Sequence, residues 1–279
     1  MNQEYVKIYN KFGGLALDTA QMTVAQITSL LAKEDISLHI IDALKQDARV
    51  SVQRLADKWE SRRQRELQEK ARISALYKHE RQLQTAGYSL VAGIDEAGRG
   101  PLAGPVVIAG VILPPDCYLP GLNDSKKLSA AQREKLYADI NQAASAVSRC
   151  IISVETIDEL NIYQATVGGM YQVIENMLPS PQAVLIDAVP LSLTMPSRSI
   201  IGGDQVSASI AAASIIAKVE RDHIMNQLDS QYPMYGFSRN KGYGTQEHMD
   251  ALEKYGPCRH HRQSFAPVRA VGLPANRVG

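Results

Sequence analysis

The sequence predicts an α/β layered core, preceded by a helical N-terminal extension and followed by a helical C-terminal segment. Residues 51–84 contain no Gly or Pro and are rich in Arg, Lys, Glu, Gln, Leu and Ala, a composition that favours a long helix. Beyond Gly87, short apolar runs typical of buried strands alternate with amphipathic segments. A chain of 279 residues is long enough for one substantial domain plus such an extension.

The extension is predicted to span residues 1–85. Thr23 is a suitable N-cap for a helix in TVAQITSLLAKE. Apolar residues are sparse in 51–84, so we expect an exposed helix there that does not complete the core of the second domain. The run Arg62, Arg63 and Arg65 is typical of a solvated helix face, and contact with nucleic acid is the alternative.

The second predicted domain covers residues 86–279. Its strands and helices come in an order that includes a βαβ-like stretch, which predicts a layered sheet. We expect strands at 88–95, 105–113, 146–155, 183–187 and 199–203, and helices at 129–146, 157–160, 162–177, 207–228 and 245–256.

Composition excludes several classes of protein. No apolar run reaches the roughly 18 residues of a membrane span, and the N-terminus MNQEYVKIYNKFGG lacks the pattern of a secretory signal. The three cysteines (Cys117, Cys150 and Cys258) are too few and too scattered for a disulfide framework or a zinc site. We therefore expect a soluble, cytoplasmic protein.

Charge is distributed unevenly along the chain, although the formal net charge is only +1. Residues 1–88 carry a net +3, residues 89–230 a net −6 and residues 231–279 a net +4. The acidic middle is either a solvated surface or a cation site, and in the second case the basic flanks suit a polyanion. Composition alone leaves both interpretations open.

Four acids stand at positions that suit a metal site. Asp95 and Glu96 end the first apolar strand, Asp187 ends AVLID, and Asp204 precedes the long helix. Ligands bind at the carboxyl ends of strands in open α/β sheets, and hard oxygen donors favour Mg²⁺ or Mn²⁺. Two such ions about 4 Å apart would support phosphodiester cleavage. Helix capping or turn formation is the alternative role for each acid taken singly.

Other chemistries lack their motifs. The chain contains no GxSxG, no GxxxxGK[ST] and no HExxH pattern. Gly98-Arg99-Gly100 follows a strand but does not have the GxGxxG spacing of a dinucleotide site.

Seven segments together resemble bacterial ribonuclease HII. They follow one another in order over residues 88–269, and the helical extension, including DARVSVQRL, is similar to that of the Gram-positive members. The segments are GIDEAGRGPLAGPVV, GLNDSKKLS, DELNIYQAT, VLIDA, SASIAAASIIAKVERD, YPMYGFSRNKGYGT and HHRQSFAPV.

The resemblance implies a ribonuclease H-like core, with a mixed sheet flanked by helices. It implies Asp95, Glu96, Asp187 and Asp204 as catalytic residues that bind Mn²⁺ or Mg²⁺. The implied activity is hydrolysis of the RNA strand of RNA·DNA hybrids. It includes a nick on the 5′ side of a single ribonucleotide in duplex DNA, which leaves a 3′-hydroxyl and a 5′-phosphate.

The resemblance also implies the substrate contacts. Gly98-Arg99-Gly100 corresponds to the loop that recognises the 2′-hydroxyl, the group that distinguishes RNA from DNA. Tyr243 corresponds to the tyrosine that packs on the adjacent deoxyribose, and packing within a turn is its alternative role. Lys126 and Lys127 are predicted to contact phosphates. The Gly-Arg-Gly sequence separates this chain from ribonuclease HIII.

One departure concerns the segment around Asp204. Gly202 and Val206 stand where the family usually has lysines, so two positive charges are missing. A nuclease of the same fold with an altered substrate range, and a catalytically weakened RNA/DNA-binding protein, are the alternative functions. We expect a monomer whose partners are RNA·DNA hybrids and ribonucleotide-containing duplex DNA.

Overall fold

The structure is a computed structural model that describes residues 19–33 and 36–272. The chain divides into two compact units, Met1–Ala71 and Arg72–Gly279. Within the described ranges, no helix is long and apolar enough to cross a membrane. The cytoplasmic location and the domain boundary after residue 85 stay predictions.

The N-terminal unit is helical. It contains α1 (Val24–Leu31), α2 (Leu38–Lys45) and the greater part of α3 (Val50–Leu76). Thr23 is the N-cap of α1, as predicted, and forms a capping box with Gln26. The first half of α3 is not fully exposed, because three of its side chains join a buried core with residues of α1 and α2. This core contains Ile27, Leu31, Ile36, Ile41, Leu44, Val52, Ala56 and Trp59.

The second unit is built on a mixed sheet, which confirms the predicted fold class. In the described part of the chain its strands are β1 (Val91–Ala97), β2 (Val106–Ile112), β3 (Ala146–Ile152), β4 (Ala183–Asp187) and β5 (Ser197–Ile200). They are ordered β3-β2-β1-β4-β5 across the sheet. Strand β2 is antiparallel to its neighbours β1 and β3, whereas β4 and β5 run parallel to β1.

Helices cover both faces of this sheet. The helix bounds in this unit are α5 Ala130–Ala143, α6 Val154–Leu160, α7 Ile162–Glu175, α8 Ala208–Gln231, α9 Phe237–Asn240, α10 Gln246–Tyr255 and α11 Ala266–Gly272. One face of the sheet packs against α5 and α8, and the opposite face packs against α7. Strand β3 ends earlier than predicted, because Ser153 caps α6, which begins at Val154.

The start of α8 lies very close to β1. A Cβ atom added at Gly93 would be 2.1 Å from the backbone carbon of Ser209, so only glycine fits there. Residues 208–217 of α8 are all buried and rich in alanine, whose small side chains allow this close approach. The acids at the end of β1 and the loop before α8 are therefore neighbours.

The end of the predicted extension belongs to the core of the second unit, and the expectation that residues 51–84 do not complete this core is wrong for residues 73–83. Ile73, Leu76 and Tyr77 are buried among residues of α5 and α8. Helix α4 (Lys78–Thr85) follows a break at Tyr77, whose hydroxyl donates to the Cys117 carbonyl over 2.8 Å. Tyr77 thus ends the single long helix that composition predicts.

Candidate active site

Asp95 and Asp187 are brought together by strand pairing. Ile94 pairs with Ile186 across the parallel strands β1 and β4, so the next residue on each strand is an acid at the same sheet edge. Asp95 is only 5% exposed. Its carboxylate accepts hydrogen bonds from the Glu96 amide, at 2.7 Å, and from the Ser214 hydroxyl on α8.

Asp204 reaches the same edge from the turn between β5 and α8. The Gly203 amide donates to Asp187 Oδ1 over 2.7 Å, which ties this turn to the end of β4. A side chain at Gly203 would come within 2.6 Å of Ile210, so glycine permits the approach. Asp204 is 3% exposed and lies in a 3₁₀ turn over Gly203–Gln205.

Burial raises the pKa of three of these carboxyls. The pKa of Asp95 is well above its usual value because of burial and, next, the charges of Glu96 and Asp187. Burial also raises the pKa of Glu96, which Arg99 opposes from 3.3 Å away. The pKa of Asp204 is raised by burial and by nearby Asp124. The site therefore holds more negative charge than its own surroundings neutralise.

The donor atoms suit a hard divalent cation. Glu96 Oε2 and Asp204 Oδ2 are buried without a hydrogen-bond partner, and both belong to carboxylates. Within residues 19–33 and 36–272, no three His, Cys, Asp or Glu side chains are already arranged to hold a metal ion as they stand. The carboxylates would need to close around an ion, which would relieve their mutual repulsion.

Lys126 and Lys127 lie beside these acids. Asp124 begins their 3₁₀ turn by accepting from the Lys126 amide over 2.9 Å. Lys126 Nζ is 3.7 Å from Asp204 Oδ2, although the side chain is 80% exposed. Lys127 Nζ is 3.9 Å from Asp124. Each ammonium group therefore lies beside an acid, Lys126 beside Asp204 and Lys127 beside Asp124.

The Gly98-Arg99-Gly100 loop adjoins the acids and Tyr243. Arg99 contacts Glu96, and a Cβ atom at Gly100 would lie 3.6 Å from the Tyr243 ring. Gly98 has φ +99°, a conformation that L side chains rarely adopt, and a side chain there would overlap Arg221. Tyr243 is 48% exposed, so its ring is not packed away inside a turn.

Two buried arginines lie against this loop. Arg262 donates to the carbonyls of Gly98, Arg99 and Gly104, whereas Arg221 packs against Gly98 and donates to the carbonyls of Ala103 and Pro105, just beyond the loop. Burial lowers the pKa of Arg221 to about 10 and that of Arg262 to about 9. Their partners are carbonyl dipoles, so the loop is fixed by charge-assisted hydrogen bonds.

Known proteins resemble this chain over most of its length. The family described as Ribonuclease HII matches residues 92–268, and the Ribonuclease HII N-terminal domain matches residues 23–84. The Ribonuclease HII of Geobacillus thermodenitrificans (strain NG80-2) is 50% identical over 255 residues, which cover 91% of this chain and 98% of that protein.

The chain belongs to the ribonuclease HII family. It is accordingly an enzyme, a ribonuclease H of type HII. The ribonuclease H2 of Pyrococcus horikoshii OT3 shares the fold, with a TM-score of 0.57, 24% identity, and coverage of 65% of this chain and 96% of that one. Bst-RNase HIII, solved in complex with Mn²⁺, also shares it, with a TM-score of 0.52, 19% identity and coverage of 66% and 70%.

The departure from the family pattern is visible in the ribonuclease HII site. Gly202 has φ +67° and is half-buried, and Val206 is exposed. Neither residue supplies a positive charge. Lys126 is the ammonium group beside Asp204 instead.

Sequence reasoning missed several residues that shape this ribonuclease HII site. Asp124 lies near Asp204, and Ser214 donates to Asp95. Arg262 donates to the Gly98 and Arg99 carbonyls, and Arg221 packs against Gly98. All four lie within the motifs that carry the family resemblance. Their place within these motifs was the available signal, but the groups that they contact in the site lie too far along the chain to be inferred.

Proposed function

We propose that this ribonuclease HII hydrolyses the RNA strand of RNA·DNA hybrids and nicks on the 5′ side of a single ribonucleotide in duplex DNA. The products are a 3′-hydroxyl and a 5′-phosphate. One observation carries the proposal: buried carboxylates share a sheet edge with a glycine loop and an exposed tyrosine. The acids suit phosphodiester chemistry, and the loop and ring suit recognition of a ribose–deoxyribose junction.

The metal ligands in this proposal are Asp95, Glu96, Asp187 and Asp204. The unpartnered oxygens of Glu96 and Asp204 and the raised pKa values favour an incoming divalent cation. When bound, Mn²⁺ or Mg²⁺ would activate water and stabilise the leaving oxygen. The Mn²⁺ complex of Bst-RNase HIII, which shares the fold, supports Mn²⁺ as the first ion to test.

The remaining residues position the substrate in this proposal. The backbone of Gly98-Arg99-Gly100 approaches the 2′-hydroxyl, because glycines leave the peptide groups accessible. Arg262 donates hydrogen bonds to the Gly98 and Arg99 carbonyls, so it holds the loop in one conformation. Tyr243 packs on the neighbouring deoxyribose, and Lys126 and Lys127 contact phosphates.

A cleavage assay on matched duplexes tests the proposal. The purified protein is incubated with a DNA duplex bearing one ribonucleotide, with Mg²⁺, Mn²⁺ or EDTA, and an all-DNA duplex is the control. We expect metal-dependent nicking on the 5′ side of the ribonucleotide only. Cleavage in EDTA, or none with either metal, contradicts the proposal. Binding without cleavage would favour the catalytically weakened alternative.

A further inference from the structure

The N-terminal unit contains a groove between α1 and α3. It combines a cavity of about 510 Å³ with an adjoining one of about 680 Å³, and Ala32, Trp59, Arg62 and Glu66 line both. Leu31 and Leu55 contribute to its floor. Every residue that lines this feature, the basic groove, belongs to the N-terminal unit, and the acids at the sheet edge belong to the second unit.

The rim of the basic groove is strongly positive. Its basic residues are Lys33, Lys58, Arg62, Arg63, Arg65 and Lys70, whereas Glu66 is the acidic residue that lines it. Two other acids of the described unit are paired with cations that do not line the groove: Asp47 with Arg49, and Glu60 with Lys45. The basic side chains therefore form a local excess of charge, although the whole chain is nearly neutral.

Several of these cations are available to a ligand. Among the described residues, no carboxylate lies within ion-pair distance of Lys58, Arg63 or Arg65. Arg62 differs, because it donates to the Leu31 carbonyl over 3.0 Å and approaches Glu66. Arg62 thus joins α3 to the end of α1. Arg63 lies over the Trp59 ring, and Arg65 Nε donates to the Ser61 carbonyl over 3.2 Å, so among the described residues neither guanidinium is neutralised by a carboxylate.

The shape of the positive surface fits an extended polyanion. The basic residues of α3 run from Lys58 to Lys70, and at about 1.5 Å per residue they extend over roughly 18 Å. This length matches about five phosphates of one strand at about 3.4 Å spacing along a duplex axis. Trp59 is buried beneath Arg63, 5.4 Å from its guanidinium, and so offers no face for base stacking.

We propose that the basic groove binds the sugar–phosphate backbone of a nucleic-acid duplex without reading its sequence. The proposal extends the proposed function, because its ligand belongs to the class of molecule on which the enzyme acts. Phosphate contacts of this kind add affinity and salt dependence but carry no base specificity. The N-terminal unit then serves as a duplex-binding surface of its own.

The test compares two charge-matched double variants of the full chain. R63Q/R65Q removes two cations from the groove and leaves Arg62 in place. K45Q/R54Q removes two cations of the same unit that do not line it. Binding to an all-DNA duplex is measured by fluorescence anisotropy over a range of salt concentrations. This ligand contains no ribonucleotide, so the result is independent of cleavage.

We expect R63Q/R65Q to lower the salt-dependence slope by about 0.9 for each lost phosphate contact. Near 0.1 M salt this corresponds to about 8-fold weaker binding for one contact and about 60-fold for two. K45Q/R54Q should keep the wild-type slope. R63K/R65K should keep it too, because lysine neutralises phosphate equally, and this variant separates charge from any effect on folding.

Two results would overturn the proposal. An equal loss of binding in both double variants would mean that net charge alone matters. Unchanged binding by R63Q/R65Q would mean that these arginines contact solvent or an acidic protein partner and not the duplex. Cleavage of the ribonucleotide-bearing duplex by the wild-type protein is scored separately. The proposed nuclease function can therefore fail while the groove is upheld, and the reverse also holds.

Discussion

Asp95 interacts with two of the other three acids of the site, Glu96 and Asp187, and with Ser214. It is buried, it accepts from the Glu96 amide and from Ser214, and the charges of Glu96 and Asp187 raise its pKa. Such a carboxylate is costly to keep ionised unless a cation is bound. The burial of the Asp95 carboxylate therefore serves the chemistry of the site and not the stability of the fold.

Changing Asp95→Asn should abolish cleavage and leave the protein folded. The amide keeps the size of the side chain but cannot neutralise cations, and it removes one buried charge. In EDTA we expect a melting temperature equal to or above that of the wild type. Added Mn²⁺ should raise the melting temperature of the wild type more than that of the variant. Near-normal cleavage would show that Asp95 is not a metal ligand.

Position 206 is the better of the two sites for restoring a family lysine. Val206 has φ −132° and an exposed side chain, whereas Gly202 has φ +67°, which strains any other residue. Val206→Lys should tighten duplex binding and increase the salt-dependence slope by about 0.9 per new phosphate contact. A slope that does not move would mean that residue 206 does not face the nucleic acid.

At the scale of elements, α4 supports the start of α8. Glu80 of α4 is buried, and its Oε1 accepts from the Ser207 hydroxyl over 2.6 Å and from the Ser209 amide over 2.9 Å. These two groups stand at the N-terminus of α8, where a negative charge is favourable. Ser207 follows Asp204 by three residues, so α4 stabilises the turn that carries one of the acids.

Two truncated chains should therefore behave differently. A chain that begins at Arg72 keeps Ile73, Tyr77 and Glu80, and we expect it to fold and to cleave at the same position. A chain that begins at Ala86 lacks these contacts and should be insoluble or melt at a much lower temperature, since it exposes core surface and leaves the Ser209 amide without its acceptor. Circular dichroism melting and cleavage mapping distinguish the two, and equal melting would show that α4 is dispensable.

At the scale of the whole molecule, a buried histidine pair couples stability to pH. The Nε2 atoms of His248 and His261 are 3.0 Å apart, and His248 also bonds the Tyr243 carbonyl. Burial lowers the pKa of His261 to about 4 and lowers that of His248. Between the unfolded value, near 6.5, and pH 4, the unfolded chain binds protons that the folded chain does not.

The free energy of unfolding should therefore fall as the pH is lowered from about 6.5 to 4. We expect the His261 contribution to be roughly 1–3 kcal/mol. The raised pKa of Asp95 acts in the opposite direction, because protonation on acidification relieves its buried charge. Urea unfolding of the wild type and of His261→Gln between pH 6.5 and 4 isolates the contribution of the histidine, since the acids are common to both proteins. If the free energy of unfolding changes with pH equally in both, His261 does not cause the pH dependence.

Local pattern is enough to locate many of the elements. It predicts the strand AVLID at its observed bounds, and it marks Asp95, Glu96 and Asp187 as candidate ligands because an acid at the end of an apolar run is conspicuous. The order of the family motifs predicted the ribonuclease H-like core. Short-range periodicity and burial preference act within a few residues, so they can be read without coordinates.

Only the tertiary structure decided which distant groups meet. Arg262 holds the Gly98 carbonyl across 164 residues, and Glu80 reaches the start of α8 across 129. The same is true of Ile73, Leu76 and Tyr77. The sparse apolar residues of their segment are typical of an exposed helix, but in the structure these three side chains are buried against α5 and α8. A hydrogen bond or an apolar contact depends on the partner as much as on the residue, and the folded chain brings that partner from far along the sequence.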